Sequence, residues 1–167
     1  MSKSAFFLIF IFFYATNALA VSETQIKAVF LEKFTHLIEW PDENKDFVVC
    51  VLQDNEFNEA LKNIYLSKTF KNKKVTILNI ADQNTIPDCQ LLFIGKGIQN
   101  VDTIISSIQT RPILTVSDDK DNMLGKVMIN MFLQKNRFKY IINNNAAQKS
   151  NIKISHLLLR SAQEVIK

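Results

Sequence analysis

Two stretches of this chain, Phe47-Val48-Val49-Cys50-Val51-Leu52 and Leu91-Leu92-Phe93-Ile94, are apolar without a break. A strand with one wet face alternates apolar and polar residues, so a strand with no polar face is covered on both sides. That pattern belongs to a parallel sheet sandwiched by helices. The intervening sequence supplies the helices. Ile26, Val29, Phe30, Phe34, Leu37 and Ile38 recur at helical spacing, with Ser22 as N-cap and Gln25 completing a capping box. This first helix is expected to run to Trp40-Pro41, because a residue before proline avoids the α region. Asn55 to Tyr65 reads as a second helix. Gly95-Lys96-Gly97 opens a third through Ile108, and Ser155 to Ile166 reads as the last. Val75 to Ile80 and Ile113 to Val116 complete the parallel strands. Val127 to Leu133 and Phe138 to Ile142 form an antiparallel hairpin turned at Lys135-Asn136, since Asn tolerates positive φ. Asn143 to Gln148 reads as a short helix, broken near Ser150-Asn151. The expectation is an α/β fold, a mostly parallel sheet flanked by helices with an antiparallel hairpin near the C-terminal part.

The N-terminus carries a different signal. Lys3 precedes the apolar run Ala5 to Tyr14, and Ala18-Leu19-Ala20 places small residues where signal peptidase cuts. This is the order of a cleavable export signal, residues 1–20. The run is too short for a bilayer, which takes roughly 20 apolar residues. Residues 21–167 then form a single domain with no membrane insertion after cleavage. The full chain has a formal net charge of +4, with its basic residues scattered apart from Lys68, Lys71, Lys73 and Lys74. That cluster has no interleaved aromatic platform, which argues against nucleic-acid binding. Export leaves Cys50 and Cys89 in an oxidising compartment, where one intramolecular bond can form. Two buried thiols are the alternative.

No catalytic or metal-binding constellation stands out, and no cofactor is expected. Gly95-Lys96-Gly97 lacks the glycines of a dinucleotide or P-loop motif and reads as a structural turn. His36 and His156 have no partner at a metal-binding spacing. Cys50 sits in an apolar strand, which disfavours a Cys–His pair. Ser117-Asp118-Asp119 directly follows a buried strand, where open α/β sheets line their ligand crevice. It is either a capping turn or a ligand or partner contact. Trp40 is either a core lid or an exposed aromatic anchor.

Several segments together resemble the YfiR family of bacterial periplasmic proteins. They are Ala28-Val29-Phe30-Leu31-Glu32-Lys33-Phe34 running into Ile38-Glu39-Trp40-Pro41, Val49-Cys50-Val51-Leu52, and Cys89 before Leu91-Leu92-Phe93-Ile94. Pro112 to Asp118, Met128-Ile129-Asn130, and Ile152 to Ser155 leading to Leu158-Leu159-Arg160-Ser161-Ala162 follow in family order. The resemblance implies a periplasmic regulator, not an enzyme. Such a protein restrains a membrane-bound diguanylate cyclase by binding its periplasmic part, and so lowers cyclic di-GMP output and biofilm formation. It also implies redox cues and dimerisation, and it directs attention to Trp40, Ser117, Asp118, Asn130 and Asn143 as ligand or partner contacts. Lys126 and Val127 stand where members carry two glycines. Tyr140-Ile141-Ile142-Asn143 stands where they resemble Phe-Glu-Ile-Asn, and a further cysteine pair is absent. The alternative function is a periplasmic small-ligand binding protein using the crevice near Ser117 and Asp118.

Overall fold

The computed structural model describes residues 21–42 and 46–167. The expected export signal lies outside the described residues. Ser22 caps α1 (Glu23–Thr35) through the anticipated reciprocal box: its hydroxyl accepts from Gln25 N, and the Gln25 side chain accepts from Ser22 N, each at 3.1 Å. The chain continues through β1 (Ile38–Glu39), β2 (Phe47–Leu52), α2 (Asn55–Tyr65), β3 (Val75–Ile80) and β4 (Leu91–Ile94). Next come α3 (Val101–Ile108), β5 (Leu114–Ser117), α4 (Lys120–Met123), β6 (Ile129–Gln134) and β7 (Arg137–Asn143). It closes with α5 (Asn144–Lys149), β8 (Lys153–Ile154), α6 (His156–Ser161) and β9 (Glu164–Ile166).

The main sheet has seven strands in the order β3-β2-β4-β5-β6-β7-β9. Neighbours from β3 to β6 are parallel, β6 and β7 form the antiparallel hairpin, and β9 runs parallel to β7. The mostly parallel α/β architecture therefore stands. Lys135 and Asn136 turn the hairpin with φ of 51° and 58°, the doubly positive geometry that matches strand twist.

The unbroken apolar strands feed two cores by their period of two. Val49, Val51, Leu91, Phe93, Leu114 and Val116 face α1 and α2. Cys50, Leu52, Leu92, Ile94 and Ile113 face α3. On the first side Phe57 of α2 stacks on Phe93 with centroids 3.7 Å apart. Full burial of such a side chain stabilises the fold by ~1.5–3 kcal/mol.

Four boundaries differ from the sequence reading. The first helix stops at Thr35, not at Trp40, because Ile38 and Glu39 pair with Ile154 and Lys153 in a separate two-stranded sheet. The third helix starts at Val101, since residues 95–100 form a turn. A short helix, α4, follows Asp119. The last helix ends at Ser161, and Val165 lies in β9 opposite Ile142. In each of the two pairing cases a β-branched residue takes a distant strand partner that a local helical pattern cannot reveal.

Candidate functional site

The strand order reverses between β2 and β4, the place where open α/β sheets bind ligands at their carboxyl ends. Here that crevice is closed by backbone. Gly95 N donates to Leu52 O at 3.1 Å. A Cβ at Gly95 would lie 3.0 Å from that same oxygen and 3.2 Å from Gln53 O. The glycine of the Gly95-Lys96-Gly97 segment thus permits close approach of two loops.

One strand further on, the end of β5 presents Ser117 and Asp118. The Ser117 hydroxyl donates to Ile94 O at 2.8 Å and accepts from Asp119 N at 3.2 Å, bracing the turn. Asp118 Oδ2 receives Lys27 Nζ from α1 at 2.7 Å and Lys96 Nζ at 3.4 Å. Lys27 also pairs with Glu23 one helical turn earlier. The side chains of Lys27 and Asp118 are only 3% and 9% exposed. Burial pulls the Lys27 ammonium towards deprotonation, but its hydrogen bonds to Asp118 and Glu23 outweigh that and raise its pKa. The same Lys27 contact lowers the pKa of Glu23. Asn130, on β6 beside Ser117, donates to Asp119 O at 3.1 Å. Asp118 Oδ1 and Asn130 Oδ1 are buried without a hydrogen-bond partner. Buried acceptors of this kind favour a donor or an ordered water.

The other sequence-selected residues lie apart from this cluster. Trp40 takes the buried one of its two alternatives, at 7% exposure. Its Nε1 donates to Gln90 O at 2.9 Å, and its ring meets Phe47 and Phe70 edge-on. Its edge still lines a surface cleft of about 500 Å³ shared with Glu39, Pro41, Gln148 and Lys153. Asn143 caps α5: its Oδ1 accepts from Ala146 N at 3.0 Å, and its Nδ2 donates to Gly125 O at 2.7 Å. Both ends of that amide therefore serve the fold. Cys50 and Cys89 are free, buried thiols in the α3-side core. Contact with Cys50, together with burial, pushes the Cys89 thiol pKa up. Among the described residues, no group of three His, Cys, Asp or Glu side chains is placed to hold a metal ion.

Sequence reasoning selected Asp118 but missed its partner. Lys27 is followed by core residues Ala28 and Leu31, and Glu23 lies four residues before it. A lysine among the core positions Ala28 and Leu31 of a helix was the available signal.

The family model described as YfiR/HmsC-like matches residues 24–163, from the first turn of α1 to the residue before β9. The chain belongs to the YfiR/HmsC-like family. At the family level the match supports a periplasmic regulator of cyclic di-GMP signalling. No described helix is long and apolar enough to cross a membrane. No curated protein matches the chain. Among solved structures, the ABC domain from Streptococcus pneumonia in complex with L-Trp superposes with a TM-score of 0.55 at 13% identity. The match covers 86% of this chain and 60% of that one. At this identity the likeness shows the α/β fold alone.

Proposed function

We propose that the protein is an exported regulator that binds the periplasmic part of an inner-membrane diguanylate cyclase and holds it in its inactive form. The observation that carries this reading is the family match across nearly the whole domain. A binder of this kind works by population shift, through tighter association with the inactive state than with the active one. The crevice at the strand-order reversal is closed by the chain's own backbone, which suits a protein that acts through its outer surface. The Trp40–Pro41 cleft, bounded by β1 and β8, is the recess we assign to partner contact. Cys50 and Cys89, side by side in the core, supply a redox input in this proposal: a bond between them would stiffen β2 against the segment entering β4.

The test is binding of the purified protein to the periplasmic region of a diguanylate cyclase from the same organism, with and without reductant. Micromolar or tighter association is expected, weakened or strengthened by reductant. Absence of binding to any such cyclase would remove the proposed partner class.

A second reading is favoured by the orphaned acceptors Asp118 Oδ1 and Asn130 Oδ1. They suit a small donor-bearing ligand at the end of β5. The bound L-Trp named for the Streptococcus structure belongs to that protein, and only the shared fold makes the comparison relevant. A metabolite screen by thermal shift tests this reading, since a ligand of the native state raises apparent stability by mass action.

A further inference from the structure

A second recess lies on the α3 side of the sheet, away from both Trp40 and Asp118. It is a groove of about 380 Å³ between α3 and α5, within the size range of small-molecule sites. Its floor is apolar: Ile105 and Ile108 from α3, Ile113 before β5, and Met128 before β6. Its walls are tied together where Ser150 Oγ donates to Gln109 O at 3.1 Å.

The charged groups lining this groove are of one sign. No carboxylate lines it, whereas Lys126 and Lys149 both do. Lys126 is neutralised from outside by Asp102 at 3.0 Å. Lys149 has no ion-pair partner among the described residues. Deeper in, Thr115 is 2% exposed and lines the same groove. Its Oγ1 accepts from Met128 N at 3.0 Å, and its hydroxyl proton meets no protein acceptor among the described residues. A buried hydroxyl proton without an acceptor is costly unless a ligand or water supplies one.

We propose that the groove between α3 and α5 binds a small apolar carboxylate, its hydrocarbon part on the isoleucine floor and its carboxylate between the Thr115 hydroxyl and Lys149. This site does not depend on the cyclase-binding proposal, because it uses neither the Trp40 cleft nor the cysteine pair. Its floor selects an apolar body, and its donors select an anionic head over a neutral or cationic one.

The experiment is calorimetric titration of the whole protein with three matched probes: 4-phenylbutyrate, 4-phenylbutan-1-ol and 4-phenylbutan-1-amine. Saturable binding of the carboxylate is expected, with the alcohol ~3- to 10-fold weaker and the amine weaker still. Lys149→Glu changes an exposed side chain and should lower carboxylate affinity ~3- to 10-fold without affecting folding. Ile105→Trp should fill the groove and abolish binding. Lys62→Glu, on α2 across the sheet, should leave affinity within about twofold. The proposal is overturned if the carboxylate shows no saturable binding, if the alcohol or amine binds equally well, or if Lys149→Glu is silent. Retained binding in a folded Ile105→Trp protein overturns it as well. If Ile105→Trp does not fold, the probe series and Lys149→Glu decide the question alone.

Discussion

Replacing Lys27 with methionine isolates what the buried ion pair contributes. Methionine keeps most of the lysine stem's volume, so little cavity forms. What changes is Asp118, left 9% exposed with Lys96 at 3.4 Å, itself 61% exposed. Removing one partner of a buried pair typically costs ~3–5 kcal/mol, and the remaining exposed lysine returns about 1 kcal/mol of that. The expected loss is therefore ~2–4 kcal/mol, or a fall in Tm of roughly 4–16 °C for a domain of this size. Urea unfolding of wild type, Lys27→Met, Asp118→Asn and the double variant completes a cycle. The double variant should be less destabilised than the sum of the singles by at least ~1 kcal/mol. The pH dependence supplies a second check. The raised pKa of folded Lys27 means its stabilisation is complete below the unfolded value of about 10.4 and is lost as pH rises through the folded value. The gap between wild type and Lys27→Met should thus persist through neutral pH and narrow only in strong alkali. A Lys27→Met protein within ~0.5 kcal/mol of wild type, or a cycle with no coupling, would refute the reasoning.

Three further outcomes are expected. Gly95→Ala drives a methyl against Leu52 O at 3.0 Å and Asp54 Cβ at 3.1 Å; both loops must yield, and urea unfolding should show a loss of ~1–3 kcal/mol. Burial pushes the Tyr65 phenol up to about 12, so in an ultraviolet titration one tyrosine should ionise well after the usual range near 10. The stability this group contributes is complete below about 10 and is lost as pH rises from there through about 12. The native reduced protein should react slowly with a thiol reagent at both Cys50 and Cys89, because they are buried and the Cys89 thiol resists ionisation. After oxidation, loss of both free thiols with a gain of ~3–4 kcal/mol would support the redox proposal; two free thiols would remove it.

The candidate site was legible only in part. Ser117 and Asp118 could be selected from their place after a buried strand, but nothing local revealed that α1 would fill their crevice with Lys27, 91 residues away in sequence. The groove between α3 and α5 was not anticipated as a site. It is assembled from Ile105, Ile113, Met128 and Lys149, which share no motif and meet only when the helices pack.

Periodicity alone determined the two-sided burial of Phe47–Leu52 and Leu91–Ile94, the capping box at Ser22, the extent of α2 and the Lys135-Asn136 hairpin. These features rest on interactions within a few residues, or on which faces of a strand are apolar. Tertiary structure decided the end of α1, the pairing of Ile38 with Ile154, the capture of Val165 by β7, and the fate of Trp40. Each of these depends on a partner distant in the chain, whose packing and hydrogen bonds outweigh local helical preference.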